Sequence, residues 1–116
     1  PTEGMPHPRV YGTFPRLIRH FVGEKGGLTL EQAVRKMTAL PARALRLRRK
    51  GTVAVGMDAD LCVFDPAALR ENGSYQDPCR MASGLDAVLV AGQPALLHDT
   101  LTGACAGTVL RRETVC

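Results

Sequence analysis

The chain of 116 residues has no tryptophan, two tyrosines and three phenylalanines, an aromatic share of only 4%. It has no apolar run near the roughly 20 residues that span a bilayer, which excludes a transmembrane helix. The opening, Pro1-Thr2-Glu3-Gly4, carries neither the basic and apolar regions of a signal peptide nor an initiator methionine. The expectation is a chain that was processed or cut from something longer. The four cysteines, Cys62, Cys79, Cys105 and Cys116, never stand at the C-x-x-C spacing of zinc or redox sites. Nucleophile elbow, P-loop and dinucleotide-binding glycine pattern are all missing. His7, His20 and His98 are never paired at H-x-H or H-x-x-x-H spacing.

What is present fits about one domain's worth of folded chain: 45% hydrophobic and 22% charged residues. The net charge of +4 conceals a division. Residues 1–50 carry 11 Lys/Arg against 3 Asp/Glu, whereas residues 51–116 carry 4 against 8. The basic cluster Arg43, Arg46, Arg48, Arg49 and Lys50 raises the question of a nucleic-acid face. It has no interleaved aromatics and no recognised binding spacing, so a solvated, positively charged helix C-terminus explains it better. No nucleic acid and no membrane are expected as partners. Cys62 lies within an apolar strand pattern and reads as a small buried hydrophobe, and reduced thiols point to a cytoplasmic protein.

Helices come first along the chain. Residues 1–12, rich in proline and glycine, read as a loop, and Thr13-Phe14-Pro15 as a helix start, since proline suits the first helical turn. Leu17, Ile18, Phe21 and Val22 give that helix an apolar face, ended by Gly26-Gly27. Thr29-Leu30-Glu31-Gln32 fits a capping box, and Leu30, Ala33, Val34 and Met37 line the helix behind it. A third helix is expected from Pro41 to about Leu47.

The period then changes to that of strands. Extended pieces are expected at 52–56, 60–65, 87–90, 95–97 and 107–110, with Ala91-Gly92-Gln93-Pro94 as a hairpin turn and an irregular loop from Arg70 to Ser83. The helices have single apolar faces that need a partner, and the strands are too few to close a barrel or a sandwich. Both halves read as outer parts of something larger.

Most chemistry-bearing residues have ordinary structural explanations. His20 fits the edge of a core, His98-Asp99 a hairpin end, and Asp58 and Asp60 a turn with local hydrogen bonds. The segment His7-Pro8-Arg9-Val10-Tyr11-Gly12-Thr13-Phe14-Pro15-Arg16 stands apart, placing an imidazole and a guanidinium on a stiff proline-containing loop ahead of a helix. A guanidinium held that way presents a planar fork suited to a carboxylate.

This segment resembles the HPR-x-(Y/W)-GTFPR stretch of the N-acyl-D-amino-acid deacylases (D-aminoacylases), members of the amidohydrolase superfamily. The likeness continues through 30–42, Gly51-Thr52-Val53 and Gly56 to Pro66, the last similar to the family's G-x-x-ADLVVFDP. Tyr75-Gln76-Asp77-Pro78, Val88 to Gln93, Thr102-Gly103-Ala104 and Gly107 to Arg111 resemble the closing segments, so the matches cover nearly the whole chain in order.

The resemblance implies a zinc-dependent hydrolase that splits an N-acyl-D-amino acid into a carboxylate and a D-amino acid. It implies an α+β fragment: residues 1–50 as the last loop and helices of a metal-bearing TIM-type barrel, and 51–116 as C-terminal strands of a small β-sandwich. Arg9 would bind the substrate's α-carboxylate, with His7 and Tyr11 shaping the same loop. The zinc ligands, several histidines and a cysteine, have no counterparts here, and the family's catalytic aspartate precedes HPR in an S-D-G segment. Thr2-Glu3-Gly4 can be read as a degenerate version, with Glu3 in the aspartate's place, but the expectation is that the true aspartate lies just before Pro1. Cys105-Ala106 replaces the family's Arg-Pro. The missing barrel would then be the chain's partner, and the isolated chain would be inactive. Two alternatives stay open: another amidohydrolase, of dihydroorotase or hydantoinase type, and a noncatalytic remnant or interaction module.

Overall fold

The computed structural model describes residues 5–110. Helix α1 (Arg9–Arg16) runs directly into a π-helical segment, π1 (Leu17–Glu24), followed by α2 (Leu30–Met37) and α3 (Ala39–Ala44). Strands β1 (Leu61–Phe64), β2 (Leu85–Val90), β3 (Gln93–Leu97) and β4 (Thr100–Leu101) form one antiparallel sheet in chain order. The chain is thus an α+β structure with helices first and strands second.

The first helix begins at Arg9, four residues earlier than the proline signal suggests, so the His-Pro-Arg segment forms the helix start rather than a preceding loop. Pro8 occupies the cap position and offers no side-chain acceptor. His7 supplies the capping instead: its carbonyl accepts from Val10 N–H at 3.0 Å and its Nδ1 from Arg9 N–H at 3.1 Å. These are among the donors that a helix start leaves without an internal partner. Pro15 falls inside the helix, where it has no N–H to donate. The wider turns of π1 follow from Leu17 and close with Lys25 N–H on His20 O, at 2.8 Å.

Thr29 makes the expected capping box: Gln32 N–H donates to Thr29 Oγ1 at 3.2 Å, and Thr29 N–H donates to Gln32 Oε1 at 3.0 Å. The third helix spans Ala39–Ala44 rather than Pro41 to Leu47. Residues 52–56 form no strand, and Val53 and Val55 project into solvent. Residues 107–110 likewise carry no strand.

In the sheet, Cys62, Val88, Leu96 and Leu101 stand opposite one another in a row, so they share one face. The hairpin turn between β2 and β3 places Ala91 and Gly92 at φ of 50° and 78°, the left-handed pair that suits a two-residue connection. Arg70 and Ser83 form an isolated antiparallel bridge that closes the intervening loop at its base.

Burial is sparse. Among the described residues the buried apolar side chains are Ile18, Ala33, Ala42, Leu69 and Leu96, with Gly12 and Pro78 buried beside them, and no large side chain is fully enclosed. The radius of gyration is 15.5 Å, against about 13 Å for a compact chain of around 100 residues. Cys62, expected inside, is exposed, because its face of the sheet borders an open groove; the thiols of Cys79 and Cys105 are also exposed, and all three are free.

The two charge-divided halves meet through ion pairs. Arg49 reaches Asp58 at 2.9 Å, and Lys50 reaches Asp58 at 3.2 Å and also Asp60. Asp58 and Asp60 therefore bind the end of the basic segment. No helix among the described residues is long and apolar enough to cross a membrane.

Candidate functional site

Helix α1 sorts its residues onto two sides by the 3.6-residue period. Arg9, Gly12, Thr13 and Arg16 border a cleft of about 460 Å³, completed by His7, Glu71 and Tyr75. Tyr11, Phe14, Pro15 and, in π1, Ile18 border a separate apolar groove of about 810 Å³, whose other wall is the sheet face with Cys62, Phe64 and Leu96. The structure therefore brings His7 and Arg9 together in one cleft and places Tyr11 in the other.

Glu71 faces the cleft from the loop after β1. Its Oε1 lies 3.5 Å from Arg16 and 3.7 Å from Arg19, and its side chain is only 14% exposed. Gly12 makes this approach possible: a Cβ there would stand 3.1 Å from Glu71 Cβ. Glu71 thus holds two of the guanidiniums on this flank. Arg9 is exposed and pairs with no carboxylate among the described residues.

His7 is tied down at both ring nitrogens. Its Nδ1 accepts from Arg9 N–H, so in the neutral imidazole the proton sits on Nε2. Nε2 lies 3.2 Å from Tyr75 Oη, and the two rings meet edge to face with centroids 5.2 Å apart.

Tyr75 is delivered by a loop that braces itself. Asn72 Nδ2 donates to Met81 O at 2.9 Å and to Ser83 Oγ at 3.1 Å. Ser74 N–H donates to Asp77 O, Asp77 N–H returns to Ser74 Oγ, and Asp77 pairs with Arg80 at 2.5 Å. Glu71 and Tyr75 are the site neighbours that sequence reasoning missed; the Tyr75-Gln76-Asp77-Pro78 motif marked the segment without revealing what it touches.

The remaining candidates are structural. His20 Nδ1 is bonded to Glu24 at 2.7 Å, which holds the Glu24 carboxyl below its ordinary range. Asp99 turns to the backbone: its two oxygens accept from Gly84 and Leu85 N–H, each at 2.9 Å, and these bonds lower its pKa. Glu3 lies outside the described residues. Among the described residues no group of three or more His, Cys, Asp or Glu could hold a metal ion, so the side chains here do not fit a zinc centre.

The model of the amidohydrolase family matches residues 5–96. The chain belongs to that family. It is 41% identical over 112 residues to a D-aminoacylase of Alcaligenes xylosoxydans xylosoxydans, a match covering 97% of this chain and 23% of that protein. It is 40% identical over 113 residues to an N-acyl-D-glutamate deacylase of the same organism, again 97% of this chain and 23% of the relative. The chain therefore spans about a quarter of the length of these curated relatives.

Solved structures agree. A D-aminoacylase mutant in complex with CuCl2 superposes with a TM-score of 0.87 at 42% identity, covering 92% of this chain and 23% of that one. An N-acyl-D-glutamate deacylase from Bordetella bronchiseptica, complexed with zinc and a phosphonate mimic of the tetrahedral intermediate, gives 0.75 at 40% identity, covering 78% and 19%.

Proposed function

We propose that this amidohydrolase chain is the C-terminal part of a zinc-dependent enzyme that hydrolyses N-acyl-D-amino acids, and that Arg9 holds the substrate's α-carboxylate. The observation that carries the reading is the charge arrangement at the cleft. Glu71 occupies Arg16 and Arg19, and Arg9 is exposed with no carboxylate partner among the described residues. A guanidinium in that setting suits a planar carboxylate through paired N–H donors. Its task is to bind the substrate by its carboxylate and so orient the neighbouring amide.

Zinc, where bound, activates water and polarises the amide carbonyl in such enzymes. Its ligand set is assigned to other parts of the polypeptide, a reading supported by the lack, among the described residues, of any group of three or more His, Cys, Asp or Glu that could hold a metal ion. Residues 1–50 are assigned to the last loop and helices of the barrel, and 51–116 to strands of the small sandwich. The apolar groove supports this larger assembly: Phe14, Met81 and Leu101 line it yet are 59–70% exposed, a costly arrangement unless the rest of the barrel covers them. The free thiols at Cys62, Cys79 and Cys105 support a reducing, cytoplasmic setting.

The test is kinetic. In the whole protein, Arg9→Ala is expected to raise KM for N-acetyl-D-methionine by the equivalent of roughly 1.5–3 kcal/mol, the worth of hydrogen bonds to a charged group. A KM that stays put removes Arg9 from the carboxylate site. The 116-residue chain by itself is expected to bind no stoichiometric zinc and to show no turnover; finding both would overturn the division of labour.

A further inference from the structure

We infer that Tyr75 is a positioning residue for Arg9, acting through His7. The inference rests on the Arg9 reading and adds to it the device that sets the guanidinium's starting point. The chain of contacts is short: Tyr75 Oη to His7 Nε2 at 3.2 Å, then His7 Nδ1 to Arg9 N–H at 3.1 Å.

A helix beginning at Arg9 needs an acceptor for its first N–H, and Pro8 has no side chain that can provide one. His7 does so only with its ring turned so that Nδ1 faces the helix. A half-turn about the Cβ–Cγ bond would present Cδ2 there instead, which accepts nothing. Tyr75 selects the useful orientation twice over, by accepting the Nε2 proton and by placing its ring edge to face against the imidazole. It arrives from 68 residues away on a loop whose internal hydrogen bonds fix its own position. Tyr75 is 69% exposed, so burial gives no competing account of why it is placed here.

The consequence is a specific kinetic pattern. Loosening His7 lets the first turn of α1 fray, and Arg9 then spends less time aimed into the cleft. Binding of the carboxylate weakens, and because that contact is made equally in the ground state and the transition state, the loss is read in KM while kcat is kept. Tyr75→Phe keeps the ring and removes only the hydroxyl. His7→Asn offers Oδ1 to Arg9 N–H in place of Nδ1 but has no group that reaches Tyr75.

The experiment uses the whole protein with two substrates, an N-acetyl-D-amino acid and its primary carboxamide, which lacks the negative charge. Tyr75→Phe and His7→Asn are each expected to raise KM for the acid about three- to tenfold, with kcat within twofold and KM for the carboxamide unchanged. The double variant is expected to be no worse than either single one, because both break the same link. A KM for the acid that does not move in Tyr75→Phe overturns the proposal, as does an equal rise for acid and carboxamide, or strictly additive effects in the double variant. Should Tyr75→Phe fail to fold, His7→Asn with the same two substrates decides the matter alone. Arg9→Ala, run alongside, separates the two layers. If it raises KM for the acid and the Tyr75 and His7 variants do not, the positioning idea fails and the Arg9 reading stands. If Arg9→Ala has no effect, the reading itself fails.

Discussion

Gly51 presses against Ala42 so closely that a Cβ on Gly51 would fall 2.6 Å from Ala42 Cβ and 3.0 Å from the carbonyl of Thr38. Gly51 stands at φ 88°, a left-handed conformation, where the chain leaves the helices for the strands. Both the backbone angle and the contact demand a residue with no side chain.

Gly51→Ala is accordingly expected to destabilise the protein by about 2–4 kcal/mol, combining the left-handed penalty with overpacking at the end of α3. A lower melting temperature of the whole protein checks this. A melting temperature equal to that of the parent would show that the helix–strand junction relaxes freely.

Thr29 holds the start of α2 through its reciprocal bonds with Gln32. Thr29→Ala removes the side-chain acceptor and is expected to cost about 1 kcal/mol, with Thr29→Ser close to neutral. Equilibrium unfolding in urea distinguishes the two variants. Equal losses would mean that the methyl group of Thr29, rather than its hydroxyl, matters.

Two carboxylates link the sheet to acid. Asp60 is held below its ordinary value of 3.8 by Lys50 first and by the Ala91 N–H second; Asp99 is held below the same value by the N–H groups of Gly84 and Leu85. A carboxylate whose pKa is lower folded than unfolded contributes its stabilisation fully above the unfolded value, and loses it as pH falls through the folded one. Amide-exchange protection at Gly84, Leu85 and Ala91 is therefore expected to be flat near neutrality and to decline below about pH 4. Asp99→Asn should flatten that decline at Gly84 and Leu85 but not at Ala91. An unaltered profile at all three amides would detach the carboxylates from the acid response.

Much of the local structure was legible in the residues. The Thr29–Gln32 capping box, the strand at Leu61–Phe64 and the hairpin through Ala91-Gly92 follow from short-range chemistry, and each lies near its expected place. The family was legible as well, because the Gly56-to-Pro66 segment is of a kind shared across amidohydrolases and the His7-to-Arg16 segment is more specific still. The helix start was not. Proline favours a first turn, and Pro15 offered that signal, whereas the true start depends on an imidazole acting as the cap.

Sequence alone singled out the candidates for chemistry, one arginine near one histidine in a proline-bounded segment, and showed no metal-ligand spacing. Only the tertiary structure decided their company. It set Glu71 against Arg16 and Arg19, left Arg9 with no carboxylate partner among the described residues, turned Tyr11 to the opposite groove, and brought Tyr75 to His7. The physical reason is separation along the chain. Glu71 and Tyr75 lie more than 50 residues from the partners they touch, and no local pattern records a meeting that depends on how a loop folds back over a helix.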